Sequence, residues 1–333
     1  MEDYKKGPVI FALSSTKLFG KKLGTNGLLV EETFPDGEPY VKPNQDIRGC
    51  DVFVVQSLHN YGSNGESLGD KLLKLIIFCN AAYHASAQRI TAVIPHLGLS
   101  RQDRKAGSRD PLSAQALAMV LESCFVNRLL TMDPHNLAIQ SGYRIRSDML
   151  KPFRPWIDYL HPYFMKEKKV GLIAPDNNAK KDRVDPLEER VLTYYEGKPP
   201  FRLITGFIPK QRKSGKSIKS GRAVVYGDIR DSLVVIPDDE SSTGGTMINA
   251  ARKVKDRGTR YVIGTVVHNK LSKEAAHAIQ EEKSIDEFWV MDTICRPELI
   301  KKYPKFKEIS VASYFRKAIE NIHEEKSLSA ELF

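Results

Sequence analysis

The stretch VVIPDDESSTGGTM, from Val234 to Met247, sets four apolar residues against two adjacent carboxylates, then a run of hydroxyls and glycines. A surface turn needs only one or two residues that tolerate positive φ or bond their own backbone. This stretch has many more. A buried strand ending at Pro237 would deliver Asp238 and Asp239 to its carboxyl edge, where open α/β sheets bind ligands. Gly244 and Gly245 allow backbone N–H groups to approach an anion, and a helix opening at Thr246 would point its N-terminus at the same place. Ser241, Ser242, Thr243 and Thr246 add hydroxyl donors. A phosphate fits the Ser/Thr/Gly half, whereas the two acids suit sugar hydroxyls or a Mg2+ ion. Phosphate, hydroxyls and metal together describe a sugar phosphate.

The elements needed to position this turn recur along the chain. Strand-length apolar runs cover Val9 to Leu13, Asp51 to Gln56, Ile90 to Pro95 and Arg128 to Met132. Four more cover Lys168 to Pro175, Ser232 to Pro237, Tyr261 to Val267 and Glu287 to Met291. Between them, Leu68 to Ala87, Ser113 to Glu122, Thr246 to Asp256 and Lys273 to Glu282 carry apolar residues at helical spacing. This alternation predicts α/β units with mainly parallel sheets flanked by helices. RGCDVFVVQS (Arg48 to Ser57) echoes IRDSLVVIPD (Ile229 to Asp238), and QRITAVIPH echoes TRYVIGTVVH, each of the latter pair ending in His. We read the echo as a duplication, with a first domain over 1–155 and a second over 156–333.

Composition narrows the partners. No apolar run in the 333 residues approaches the roughly 20 needed for a membrane span. The run VIFAL near the N-terminus is too short for a signal peptide. A soluble, cytoplasmic protein is expected. The four cysteines are far apart and beside apolar segments, so buried free thiols are expected rather than a disulfide or metal framework. Net charge is +10, from 51 Lys+Arg against 41 Asp+Glu. The excess concentrates in RQDRKAGSR (Arg101 to Arg109) and KQRKSGKSIKSGR (Lys210 to Arg222), neither of which contains an aromatic residue. Single-strand binders interleave stacking rings with their cations. A phosphorylated small molecule is therefore preferred to nucleic acid.

Several segments resemble one family. The Val234 to Met247 stretch is similar to the phosphoribosyl-pyrophosphate loop shared by phosphoribosyltransferases and ribose-phosphate diphosphokinases (phosphoribosyl pyrophosphate synthetases). FPDGEPYV (Phe34 to Val41), RQDRK followed by SRDPLSA, TMDPHNLAIQ and the ending ISVASYFRKAIENIHEEKSLSAELF resemble segments of the diphosphokinases, in the same order. Transferases lack the RQDRK segment.

The resemblance implies two similar phosphoribosyltransferase-type domains. It also implies transfer of the β,γ-diphosphoryl group of ATP to the 1-hydroxyl of ribose 5-phosphate, with Mg2+ present. Lys210 and Arg212 match the Lys and Arg of a mobile catalytic loop. Phe34, Asp36, Glu38, Arg101, Gln102 and Asp103 match the ATP side, and His135 and Asp176 match positions that bind Mg2+. Asp238, Asp239, Ser242, Thr243, Gly244, Gly245 and Thr246 would hold ribose 5-phosphate. A homo-oligomer built on dimers, up to a hexamer, is implied. The chain departs from the family at Asn177 and Asn178, where paired glycines are usual, at Gln211, at Leu137 and at Ser242, where an acid is usual. Such departures are also what a non-catalytic associated subunit of the enzyme would show. Against that alternative, Lys210, Arg212, His135, Asp238, Asp239 and RQDRK are all present.

Overall fold

A computed structural model describes residues 7–61, 65–105, 107–209 and 224–329. These form two compact α/β units. The first contains β1 (Val9–Ala12), α1 (Lys17–Leu23), β2 (Leu29–Thr33), β3 (Pro39–Pro43), β4 (Asp51–Val55), α2 (Leu68–His84), β5 (Arg89–Ile94), α3 (Ser113–Ser123), β6 (Arg128–Met132) and β7 (Arg146–Leu150). Its five-stranded sheet is wholly parallel, in the order β1-β4-β5-β6-β7, while β2 and β3 pair separately as an antiparallel hairpin. β1, β4, β5 and β6 are nearly unbroken runs of β-branched and apolar residues. A sheet covered by helices on both faces requires that pattern.

The second unit contains α4 (Phe153–Phe164), β8 (Lys169–Ala174), α5 (Asn177–Ala179), α6 (Asp185–Tyr194), β9 (Arg202–Phe207), β10 (Val224–Tyr226), β11 (Leu233–Ser241), α7 (Gly245–Lys255), β12 (Tyr261–Asn269), α8 (Lys273–Glu281), β13 (Glu287–Met291), α9 (Pro297–Lys302) and β14 (Phe306–Ile309). Its seven strands run β10-β9-β8-β11-β12-β13-β14, all parallel except β10 at the edge. The chain leaves β8 toward β9, then returns to place β11 on the other side of β8. That reversal makes the carboxyl ends of β8 and β11 the topological switch point, where open sheets form a ligand crevice.

The compact units differ from the 1–155 and 156–333 division expected above. Residues 293–295 and the segment from Val311 onward belong with the first unit. The last helix, α10 (Ala312–His323), explains why. Phe315 meets Phe19 of α1 edge-on at 5.5 Å, and Arg316 donates to the Gly24 carbonyl. His323 Nδ1 lies 2.9 Å from Asp51 at the start of β4. Phe315, Ile319 and Ile322 are buried, each worth about 1.5–3 kcal/mol on that face.

All four cysteines are free, but only Cys79 is buried; Cys50, Cys124 and Cys295 are half-buried. No helix among the described residues is long and apolar enough to cross a membrane.

Candidate active site

In the second unit β11 runs further than its sequence suggests. Its ladder passes through Pro237 to Ser241, with Asp238 opposite Val266, Glu240 opposite His268 and Ser241 opposite Asn269 of β12. Pairing with β8 ends at Val235 opposite Leu172. Beyond that point β11 has only one strand neighbour. Pro237, which lacks an N–H, is tolerated there. Asp238 and Asp239 therefore lie on a strand edge that borders the crevice, not on the turn beyond it.

The turn itself is pinned. Lys270 N donates to the Ser241 carbonyl at 3.0 Å and Ser272 N to that of Ser242 at 3.1 Å. Lys270 Nζ also holds Glu240 at 3.0 Å. Gly244 caps α7 at φ +73°, a left-handed conformation in which a side chain is strained. The helix begins at Gly245, one residue earlier than predicted, and Ile248 N closes its first bond to the Gly244 carbonyl at 2.9 Å. α7 is fixed to the sheet by Met247, Ala250, Ala251 and Val254. Gly264 of β12 makes that close approach possible, since a Cβ there would meet Met247 Sδ at 2.9 Å. Thr243, Gly245 and Thr246 are exposed, Ser242 half-buried and Gly244 buried. The first helical turn thus opens on the exposed residues Gly245 and Thr246 beside several hydroxyls, and helix-opening N–H groups lack intrahelical partners, an arrangement that suits a phosphate.

The acids next to the turn are tightly coupled. Asp239 N donates to Asp238 Oδ1 at 3.0 Å. Burial, then the neighbouring Asp239 charge, push the Asp238 carboxyl well above the usual carboxylate range, and Arg183 pulls it down. Arg183 is 6% exposed, and its Nη2 lies 3.9 Å from Asp239 Oδ2. Sequence reasoning missed Arg183. It stands in KKDRV, which reads as a solvated charge run, and only the π-helical turn Lys180–Val184 turns it inward. That turn follows Asp176, which lies just beyond β8 as the N-cap of α5 and accepts from Ala179 N at 2.9 Å. Asp176, Asp238, Asp239 and the 242–246 turn therefore share the carboxyl edge of two adjacent strands.

In the first unit, Arg101, Gln102 and Asp103 follow β5. Leu99 takes φ +63°, and Gly98 can carry no side chain because a Cβ would come within 2.7 Å of the Leu58 carbonyl. The Gln102 carbonyl accepts from Ala114 N at 3.3 Å and its side chain accepts from Ser113, which ties the segment to the start of α3. His135 follows β6 and is exposed. Asn136, beside it, donates to Asp103, so the loops after β5 and β6 are joined. Phe34, Asp36 and Glu38 occupy the separate β2–β3 hairpin. Its tip is closed by Phe34 N to the Glu38 carbonyl at 2.8 Å, and the Phe34 ring packs 5.6 Å from Tyr40. Lys210 and Arg212 lie outside the described residues.

Known proteins place the chain further. Residues 11–124 match the family described as the N-terminal domain of ribose phosphate pyrophosphokinase. Residues 204–333 match the phosphoribosyl synthetase-associated domain. A ribose-phosphate pyrophosphokinase of Clostridium perfringens is 33% identical, over 99% of this chain and 98% of that protein. Ribose-phosphate pyrophosphokinase A of Dictyostelium discoideum is 32% identical over 89% of this chain and 87% of its own length. Among solved structures, phosphoribosylpyrophosphate synthetase from Mycobacterium smegmatis superposes with a TM-score of 0.79 at 26% identity, covering 96% of this chain and all of that one. Two mainly parallel α/β units, in the expected order along the chain, agree with these likenesses. The chain belongs to the ribose-phosphate pyrophosphokinase family.

Proposed function

We propose that the chain transfers the β,γ-diphosphoryl group of ATP to the 1-hydroxyl of ribose 5-phosphate. The hydroxyl oxygen bonds to the β-phosphorus, the bond from that phosphorus to the α–β bridging oxygen breaks, and AMP leaves. The observation that carries this reading is the turn after β11, where exposed helix-opening residues and hydroxyls lie beside two coupled carboxylates at the switch point. In this reading Ser242, Thr243, Gly244, Gly245 and Thr246 bind the 5-phosphate, and Asp238 and Asp239 bind ribose hydroxyls. Arg183 holds the pair in place. Arg101, Gln102 and Asp103, with Phe34, Asp36 and Glu38 of the hairpin, take ATP. Charge builds on phosphoryl oxygens in such a transfer, so positioning and cationic stabilisation do most of the work. Lys210 and Arg212 supply the cations.

Mg2+ fits the donor set. Burial and the adjacent acid disfavour ionisation of Asp238, a cost that a bound divalent cation would offset, and carboxylate oxygens are the ligands Mg2+ prefers. Asp176 offers another carboxylate. His135 is the less typical ligand, because an imidazole suits softer ions. When bound, Mg2+ neutralises and orients phosphate oxygens. A cytoplasmic homo-oligomer built on dimers completes the proposal.

The test is AMP release by the purified chain with ATP, Mg2+ and ribose 5-phosphate, run beside Lys210→Ala. AMP that requires the sugar phosphate and collapses in the variant is expected. A folded, ATP-binding chain that releases none would restore the non-catalytic subunit.

A further inference from the structure

We infer that Glu31 is a positioning residue for ATP, aiming the β2–β3 hairpin through a buried ion pair with Lys74 of α2. The inference rests on the reading that Phe34, Asp36 and Glu38 at the hairpin's tip meet ATP. The hairpin is a two-stranded sheet of its own, and such a ribbon is marginally stable unless it packs on something else. Its apolar packing is thin. Within its two strands Val41 alone is buried, at 2% exposure, and Leu29 adds a partly buried contact with the core of the unit. Burial of this kind holds the ribbon down without fixing where it points, because the hydrophobic effect has no direction.

Glu31 supplies the direction. It stands opposite Val41 in the ladder, so both side chains leave the same face of the ribbon. Its side chain is 4% exposed, although the next two residues, Glu32 and Thr33, are exposed. Oε1 accepts from Ser14 N, just beyond β1, at 3.2 Å and from Lys74 Nζ at 3.0 Å. Oε2 lies 3.7 Å from Lys17 Nζ at the start of α1. Lys74, itself mostly buried, also pairs with Glu66, whose Oε2 accepts from Ser14 Oγ at 2.6 Å. One carboxylate thus ties the hairpin to the loop after β1, to α1 and to α2. An apolar side chain on that face would pack without desolvating a charge, and a buried ion pair is weak evidence for stability. What charged hydrogen bonds add is a fixed geometry.

That geometry matters because the hairpin is a lever. Asp36 lies five residues beyond Glu31, so at about 3.3 Å per residue the tip stands up to about 17 Å out, and a swing of about 10° moves it about 3 Å. Misplacement of about 1 Å in a positioning group can cost about a hundredfold.

The experiment is equilibrium binding of ATP in Mg2+ to the full chain, with AMP release kinetics alongside. Glu31→Ala leaves Lys74 paired with Glu66, so the body of the unit should fold. Its Kd and KM for ATP should rise at least about tenfold, while kcat at saturating ATP and the KM for ribose 5-phosphate hold. Glu31→Gln keeps an acceptor for Ser14 and Lys74 and should recover much of the affinity. Lys74→Met, which leaves two buried carboxylates without their cation, should show the same selective loss. Phe34→Ala separates this inference from the reading beneath it. If Phe34→Ala weakens ATP and Glu31→Ala does not, the positioning role is overturned and the hairpin remains an ATP site. If Phe34→Ala leaves ATP binding unchanged, ATP does not meet the hairpin and the inference is overturned with that reading. Equal losses toward ATP and ribose 5-phosphate in Glu31→Ala would make the pair a matter of stability alone and overturn it too.

Discussion

Replacing Gly244 by Ala tests how much of the turn after β11 rests on one backbone conformation. At φ +73° an L-residue costs about 1–2 kcal/mol relative to glycine. A Cβ would also come within 3.2 Å of Cδ1 and Cγ1 of Ile279. Those atoms end a flexible side chain and can shift by a few tenths of an ångström, so backbone strain is the larger effect. The total is about 1–3 kcal/mol. The protein can absorb it as lost stability or as a relaxed turn. In the second case the N–H groups of Gly245 and Thr246 swing out of register, and the KM for ribose 5-phosphate rises about five- to hundredfold. The KM for ATP should not move. Urea unfolding measures the first outcome, and AMP release at varied ribose 5-phosphate and saturating ATP measures the second. Gly244→Asn carries the same Cβ but tolerates the left-handed region, so it should recover much of the loss. Unchanged stability together with an unchanged KM for ribose 5-phosphate would falsify the reasoning.

Arg183→Met removes the cation that draws the Asp238 carboxyl down. Asp238 then stays protonated to higher pH, and the acid limb of KM for ribose 5-phosphate should move to higher pH, with Arg183→Lys intermediate; superimposable pH profiles would exclude the role. Lys71 is buried and donates to the carbonyls of His59 at 2.7 Å and Tyr61 at 3.0 Å, and burial lowers its pKa. Because the unfolded chain holds that proton to higher pH, stability should rise with pH between the folded and unfolded values, and Lys71→Met should flatten the slope in alkaline denaturation series. Asp51→Ala strands Arg89 and His323 without their carboxylate and should cost about 3–5 kcal/mol in urea unfolding, since breaking a buried pair leaves charge uncompensated. Chelation of divalent cations should abolish AMP release and added Mg2+ restore it; chelator-resistant release would remove Mg2+ from the proposal.

The parallel strands were legible because a sheet covered on both faces needs uninterrupted apolar runs, and all eight such runs proved to be strands. β7, with the sequence RSDML, was not legible. It is a sheet edge, where one neighbour suffices and polar residues are allowed, so its composition resembles a loop. The hairpin β2–β3 was hidden for the same reason, its residues half-buried or exposed except Val41. At the site, the turn from Ser242 to Thr246 was legible as a turn into a helix, because Gly244 supplies the left-handed conformation that caps α7. Arg183 was unreadable. Its inward direction depends on a π-helical turn, and no spacing of apolar residues announces one.

The internal echo proves deeper in the fold than in the residues. The first sheet runs β1-β4-β5-β6-β7, and within the second β8-β11-β12-β13-β14 follow in the same relative order along the chain. Each unit makes a two-strand excursion after its first strand, β2–β3 in one and β9–β10 in the other. The echoed segments fall on matching pieces, β4 with β11 and β5 with β12. The carboxyl edges have nevertheless diverged. After β4 the chain carries Gln56 and His59 rather than paired acids, and Lys71 turns its ammonium onto the loop's own carbonyls. After β11 the equivalent edge keeps Asp238, Asp239 and a turn that opens α7 on the exposed residues Gly245 and Thr246. A cation already satisfied by its own backbone leaves little for an anionic ligand to gain. Two copies of one topology thus separate by which charges the edge leaves unspent, and ribose 5-phosphate is expected at the second copy because there the helix-opening turn is exposed.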